Sequence, residues 1–392
     1  MYTQILTMLI LRKVPEVAAN SGQFPQKCRG IYFGDYGQPV YEGTNKIPNK
    51  PRRDHLIIQV HAVGVNPVDA KHLVGDKLPH DKPDWHKKYH QSKVKDAGCG
   101  FDFAGIVVAA SKIQRTKYPF GTRVYGITSP FDGSFAEYIQ VPASQVAKAP
   151  DHLSLEECAA LPLVGLTAIQ ALSPFVVPNQ SRVLVVGGSG GTGHVSIQVA
   201  RALGAKDIVT ICSTRNVEFV KECGANRVVD YTTTDDIIEE LKSMTHPEGK
   251  DHDEPFDLVM DCVTSGDPGD AQHNYPARIR NPSAGIVAES THLYQRLGGK
   301  YSDWIRALFA RQKMIPRSWV WKDTRERLFW IDVNNTADQL KELAKWADDG
   351  KLKPKVQKIY PELTAESVQQ AFDDMNGRRV QGKVVISVVQ KN

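Results

Sequence analysis

Hydrophobic positions follow two regimes along the chain. Over residues 27–150 they come in short β-rich runs broken by Gly and Pro: "HLIIQVHAVGVNP" (55–67), "FAGIVVAAS" (103–111), "GTRVYGI" (121–127) and "GSFAEYIQVP" (133–142). Closely spaced strands with turn residues between them predict a small barrel or sandwich. Residues 76–98 interrupt the series with a polar, His- and Lys-rich stretch that reads as an exposed loop. Its His80, His86 and His90 carry metal-ligand chemistry, but a solvated loop explains them more simply.

The texture changes at Asp151. In "SLEECAALPLVGLTAIQAL" (154–172), Ser154 and Glu157 have capping-box spacing, and Pro162 with Gly165 interrupts the helical pattern, predicting two helices with a break. Apolar strand patterns at 183–186, 208–211, 227–230 and 258–261 then alternate with helical patterns at 193–203, 216–223 and 234–244. That alternation predicts βαβ units and a parallel sheet. Residues 264–323 break the series and read as a polar insertion. Beyond them, 335–354 predicts a helix stopped at Gly350, and 364–388 a helix stopped at Gly377 and followed by a last strand.

The densest signal is "VLVVGGSGGTGHV", where an apolar strand runs into glycines and then a helix. Helix N-termini present unpaired N–H groups and partial positive charge, and glycine lets a phosphate approach them. Gly188, Gly190 and Gly193 match G-x-G-x-x-G, which after a strand and at the head of a βαβ series predicts a doubly wound dinucleotide-binding domain. An acidic residue about 20 positions on would bind a ribose 2′-hydroxyl. Here stands "CSTR", with Ser213 and Arg215 and no carboxylate, which suits a 2′-phosphate and therefore NADPH. A plainer role is also open for these two, Ser213 capping the helix that starts near Asn216 and Arg215 simply exposed. His194 occupies the first helical turn, either bonding phosphate or packing against a neighbouring helix.

Bulk properties narrow the classes. The chain has 392 residues, enough for two domains, and 49 Lys+Arg against 44 Asp+Glu leave a mild net charge of +5 with no basic block that would suit nucleic acid. No apolar run approaches the roughly 18 residues of a membrane span. The six cysteines are scattered, without Cys-x-x-Cys, which argues for thiols in a reducing compartment over zinc ribbons or disulfides. Residues 1–26 read as an extension that fits neither a secretory signal nor a transit peptide well, leaving a cytoplasmic or mitochondrial location open.

The segments "GVNPVDAK", "GFDFAGIV", "GSFAEYIQVPAS", "AALPLVGLTAIQAL", "GGSGGTG", "CSTRNVEFVKECGANRVVDY" and "GKLKPKV…GKVVISV" resemble the medium-chain dehydrogenase/reductase superfamily. Within it they are most similar to the zinc-independent quinone oxidoreductase-like branch and the reticulon-4-interacting protein group. The resemblance implies a GroES-like β-barrel catalytic domain (27–158 and 337–392) and a Rossmann domain (159–336) with the insertion at 264–323, with the cofactor in the cleft between them. It adds Tyr231 to Ser213 and Arg215 as an NADPH set and puts Thr167 near the nicotinamide. The full candidate cofactor set is Thr167, Gly188, Gly190, Gly191, Gly193, His194, Ser213, Arg215, Tyr231 and Cys262. Where zinc-dependent relatives carry a Cys and a His-Glu pair, this chain has Asn66 and Phe101-Asp102, which implies no metal.

Hydride transfer without a Lewis acid favours acceptors that delocalise charge, namely quinones or α,β-unsaturated carbonyls. Asn66, Asp69 and Lys71 are the catalytic candidates: Asn66 as a donor to a substrate oxygen, Asp69 with Lys71 as a proton relay. A turn at Asn66-Pro67 and an exposed Asp69–Lys71 pair explain the same residues without catalysis. An enoyl-thioester reductase, or a non-catalytic NADPH-binding accessory subunit, is the alternative. A homodimer or a protein partner contacting 264–323 completes the expectations.

Overall fold

The computed structural model describes residues 24–35, 38–71, 88, 91–244, 256–263, 285–289, 326–329, 331–377 and 379–389. A hairpin of β1 (Lys27–Tyr32) and β2 (Tyr41–Lys46) precedes β3 (His55–Val65), the short α1 (Pro67–Lys71), β4 (Asp102–Ala110), β5 (Arg123–Ile127), β6 (Tyr138–Pro142) and β7 (Val146–Lys148). These strands are antiparallel, with β3 pairing both β4 and β6. Leu56, Val60, Phe103 and Val124 of these strands, with Phe135 from the loop before β6, belong to one core. Each such side chain contributes roughly 1.5–3 kcal/mol by leaving water.

Next come α2 (Leu155–Ala159) and α3 (Pro162–Leu172). Both halves of the capping box form: Glu157 N–H donates to Ser154 Oγ at 3.1 Å, and Ser154 N–H to Glu157 Oε2 at 2.9 Å. The break falls before Pro162, as its ring requires. Gly165 does not interrupt α3. Helix α7 (Ala337–Asp348) packs against it, and a Cβ at Gly165 would lie 2.8 Å from Leu343 Cδ1, so this glycine serves close helix packing.

The second sheet is parallel: β8 (Arg182–Val186), β9 (Asp207–Cys212), β10 (Arg227–Asp230), β11 (Leu258–Asp261), β12 (Gly285–Glu289) and β13 (Glu326–Phe329), in the order β10-β9-β8-β11-β12-β13. Helices α4 (Gly191–Ala202), α5 (Val217–Glu222) and α6 (Ile237–Ser243) join its first strands. Strand β12 lies inside the segment read from sequence as an insertion, so part of that segment is the fifth strand of the sheet. The contact expected through 264–323 otherwise lies outside the described residues, as do His80, His86, His90 and the extension at 1–23.

After α7 the chain returns to the first sheet through β14 (Val356–Tyr360), α8 (Ala365–Asn376) and β15 (Lys383–Ser387), which pairs antiparallel with β3. The doubly wound sheet is thus inserted into the first domain, and the described residues form four apolar clusters, one of them on the other face of the parallel sheet. None of the six cysteines forms a disulfide, and Cys28, Cys99, Cys158, Cys212 and Cys223 fill the interior. Among the described residues, no helix is long and apolar enough to cross a membrane.

Candidate active site

Strand order reverses beside β8, the place where open parallel sheets bind ligands at their C-terminal edge. There β8 passes through Gly187, at φ +78, into α4. The glycines differ in what they do. A Cβ at Gly193 would stand 2.1 Å from the Gly187 carbonyl oxygen, and one at Gly188 would stand 2.0 Å from Thr210 Oγ1. Both positions therefore let α4 press onto the sheet. A Cβ at Gly190 would meet only the Gly187 oxygen, at 3.5 Å. Gly190 is the N-cap of α4 and offers no side-chain cap, so its missing side chain leaves an open face beside the positive end of the helix.

At the ends of β9 and β10 stand Ser213, Arg215 and Tyr231, brought together because Cys212 and Asp230 are register partners. Ser213 Oγ accepts from Asn216 Nδ2 at 3.1 Å and caps nothing. Arg215 is exposed, and its Nη2 donates to the Arg379 carbonyl at 3.4 Å. Tyr231 is 53 % exposed, a large aromatic side chain left open to solvent. Thr214 Oγ1 donates to Asp230 Oδ2 at 2.5 Å, and that bond is the main reason the Asp230 carboxyl lies below its ordinary range.

His194 is not a phosphate ligand. It is fully buried, and both ring nitrogens are engaged. Nε2 accepts the Lys355 backbone N–H at 3.0 Å, so Nδ1 carries the proton and donates to the Gly190 carbonyl at 2.8 Å. The ring thereby ties the cofactor turn to the segment leading into β14. Burial, above all, lowers its pKa to about 4. It also packs against Phe219 of α5, with ring centroids 5.7 Å apart.

Below the turn lies a buried polar network. Asn66 is 1 % exposed and its carboxamide is engaged within the protein: Nδ2 donates to Asp102 Oδ2 at 2.9 Å and to the Gly64 carbonyl at 3.5 Å. Its backbone N–H donates to Asp69 Oδ2 at 2.8 Å. Lys383, also 1 % exposed, directs Nζ to Asn66 Oδ1 (2.5 Å), the Val65 carbonyl (3.0 Å) and Asp102 Oδ2 (3.2 Å). Asp102 Oδ1 accepts Leu163 N–H at 2.8 Å, so this carboxylate also anchors the start of α3. Burial pushes the Asp102 carboxyl up, while Lys383, Asn66 and Leu163 push it back. With three donors aimed at it and no hydrogen to give, it has the pattern of an ionised group.

Asp69 is wholly buried, not half of an exposed ion pair, and burial raises its pKa to about 8. Lys71 ends α1, and its side chain lies outside the described residues. The folded protein therefore keeps a proton on Asp69 that the unfolded chain releases above its ordinary carboxyl pKa. Stability attributable to this proton is present in acid and is lost as pH rises toward 8. Asp69→Asn is expected to gain stability over the parent by up to about 1.4 kcal/mol per pH unit between pH 5 and 8, and to plateau above. Urea midpoints measured across that range check it, and a constant difference would refute it.

Thr167 is buried within α3, and Cys262 is half-buried just past β11, its N–H bonded to the Val186 carbonyl at 3.2 Å. Sequence reasoning missed Lys383 altogether. It also missed Asn216, which donates to Ser189 Oγ at 3.0 Å and links the turn to the β9 end.

Two family models match in succession: the alcohol dehydrogenase GroES-like domain over residues 52–151 and the zinc-binding dehydrogenase over residues 223–386. The trans-enoyl reductase thnE of Trichoderma harzianum is 30% identical over 271 residues, covering 64% of this chain and 67% of the relative. The chain belongs to the medium-chain dehydrogenase/reductase superfamily. The human NAD(P)H oxidoreductase RTN4IP1, mitochondrial, is 27% identical over 86% of this chain and 82% of its own. The solved quinone oxidoreductase of Coxiella burnetii matches with a TM-score of 0.68 at 26% identity, over 93% of this chain and all of that one. The GroES-like and doubly wound expectation for the fold is met, and this member of the superfamily is an oxidoreductase using a nicotinamide cofactor.

The open face at Gly190, beside the α4 N-terminus, fits a dinucleotide's phosphates. Zinc does not fit the residues that replace the superfamily's metal ligands. Asn66 offers only a carboxamide, already bonded at both ends. Phe101 offers no donor atom, and Asp102 already accepts three hydrogen bonds, one from an ammonium.

Proposed function

We propose that this oxidoreductase transfers hydride from NADPH to quinones or α,β-unsaturated carbonyls without zinc. The observation that carries the reading is the Asn66–Asp102–Lys383 network, which replaces a set of metal donors with a closed, fully hydrogen-bonded ion pair. Lacking a Lewis acid there, the site suits acceptors whose own conjugation spreads the incoming charge. Bound NADPH supplies the hydride. Gly190, Gly191 and the head of α4 would hold the pyrophosphate, and Ser213, Arg215 and Tyr231 would hold the 2′-phosphate. Thr167 and Cys262 would lie toward the nicotinamide end, and the buried Asp69 holds the Asn66 backbone through the Asn66 N–H.

An enoyl thioester is also an α,β-unsaturated carbonyl, and the name of the Trichoderma harzianum relative favours it as a second reading. Initial rates with NADPH on 9,10-phenanthrenequinone, trans-2-hexenal and crotonyl-CoA separate these readings. Turnover of simple alcohols alone, or stoichiometric zinc in the active protein, would overturn the first. NADPH binding without turnover of any of the three would favour an accessory subunit. Arg215→Ala is expected to lower kcat/KM for NADPH by roughly 10- to 100-fold, the worth of a charge-assisted pair, and to leave NADH within about twofold. Equal losses with both cofactors would remove Arg215 from the 2′-phosphate.

A further inference from the structure

Lys383 stands between the two parts of the site. Its backbone N–H donates to the Lys355 carbonyl at 2.8 Å, and the residue before it, Gly382, donates its N–H to the Ser189 carbonyl at 2.9 Å. Gly382 also forms a parallel bridge with Gly190. It sits at φ +76, where a Cβ would lie 2.3 Å from the Lys355 oxygen, so only glycine lets the strand pass this closely under the turn. The aliphatic stem of Lys383 then lies along the turn, since a Cβ at Gly191 would be 3.1 Å from Lys383 Cδ. At the far end of that stem the ammonium gives its three hydrogens to Asn66 Oδ1, the Val65 carbonyl and Asp102 Oδ2. Because Oδ1 faces the ammonium, the Asn66 carboxamide has a single orientation, with Nδ2 turned to Asp102.

We propose that Lys383 is a positioning residue through which the seated cofactor turn fixes Asn66 and the α1 segment on the substrate side. The proposal rests on the reductase reading above for its catalytic consequence, but not for its structural one. A ligand that orders Gly190 and Gly191 narrows the space open to the Lys383 stem, and the ammonium carries that restraint 317 residues away in sequence, to Asn66. Removing the amine alone leaves the buried Asp102 without its counter-charge, which is strongly destabilising in itself. Lys383→Met is therefore compared with the double variant Asp102→Asn, Lys383→Met, which removes both charges together.

The double variant is expected to melt within a few degrees of the parent and to bind NADPH within threefold of it, by fluorescence titration. Its kcat for trans-2-hexenal should fall at least tenfold while KM stays within threefold. Hydrogen exchange supplies a readout independent of turnover. In the parent, NADPH should slow exchange both at the glycine turn and over residues 64–71; in the double variant only the turn should be protected. A double variant with kcat within threefold of the parent, or with undiminished NADPH protection at 64–71, overturns the proposal. If the parent reduces neither trans-2-hexenal nor 9,10-phenanthrenequinone, the reductase reading fails, and the exchange comparison still decides Lys383.

Discussion

Alanine at Gly193 is expected to destabilise the nucleotide-binding half of the protein strongly, whereas alanine at Gly190 leaves its stability intact and closes it to cofactor. The two sites are three residues apart in one motif, yet they face different neighbours. The added Cβ at 193 would sit 2.1 Å from the backbone oxygen of Gly187, and backbone cannot rotate away as a side chain can. Overpacking of this kind costs 1–3 kcal/mol or more, and here the turn or α4 must shift bodily, which puts the loss at roughly 3 kcal/mol or above. Gly190 has ordinary extended angles, φ −75 and ψ 176, and open space where its Cβ would go. Replacing it there is neutral to stability or gains about 0.4–1 kcal/mol by restricting the unfolded chain. The methyl group instead takes the room a pyrophosphate needs, so NADPH affinity should fall more than tenfold. Urea midpoints and NADPH fluorescence titrations on both variants make the comparison. Gly190→Ala binding NADPH like the parent would place the phosphates elsewhere.

What could be read from sequence was local. Strands β8 to β11 are short apolar runs, the capping box at Ser154 needs only three residues, and the glycine motif declares itself through its flanking strand and helix. These features depend on neighbours in the chain, so pattern finds them. The substrate-side network depends on neighbours in space. Lys383 opens the strand "KVVIS", where a lysine reads as a solvated end, and its burial follows only from acceptors more than 280 residues distant. Asn66 and Asp69 are each legible as candidates, Asp69 as a partner of Lys71, but the direction of the Asn66 side chain is not, because an Asn-Pro turn looks the same whether its carboxamide faces a ligand or an aspartate. Strand β12 was hidden by the polar residues around it, and Gly165 by the lack of any sign that Leu343 would lie over it. The proposed 2′-phosphate set is the intermediate case: the residues were legible one by one, and β9–β10 pairing brings them together.

His194 should make the protein lose stability between pH 6.5 and 4, and His194→Gln should remove most of that loss. The ring is buried and neutral, with Nε2 committed as an acceptor to Lys355 N–H, so protonation requires breaking that bond or leaving the interior. Its folded pKa of about 4 lies below the ordinary histidine value of 6.5. Between those values the unfolded chain takes up a proton that the folded one refuses. The contribution is therefore complete above pH 6.5 and falls as pH drops toward 4, by up to about 1.4 kcal/mol per unit and roughly 3 kcal/mol in all. Glutamine keeps an acceptor within reach of Lys355 and does not titrate, so the difference between parent and variant isolates this one group; parallel urea-stability curves from pH 7 to 4.5 would rule the assignment out. His194→Leu keeps the volume but strands the Lys355 N–H and should cost about 1–3 kcal/mol at every pH. It should weaken NADPH binding as well, because the bond it removes from the Gly190 carbonyl holds the turn against the catalytic domain. Of the residues around the glycine turn, the one least like a ligand is thus the one that sets how the turn responds to acid.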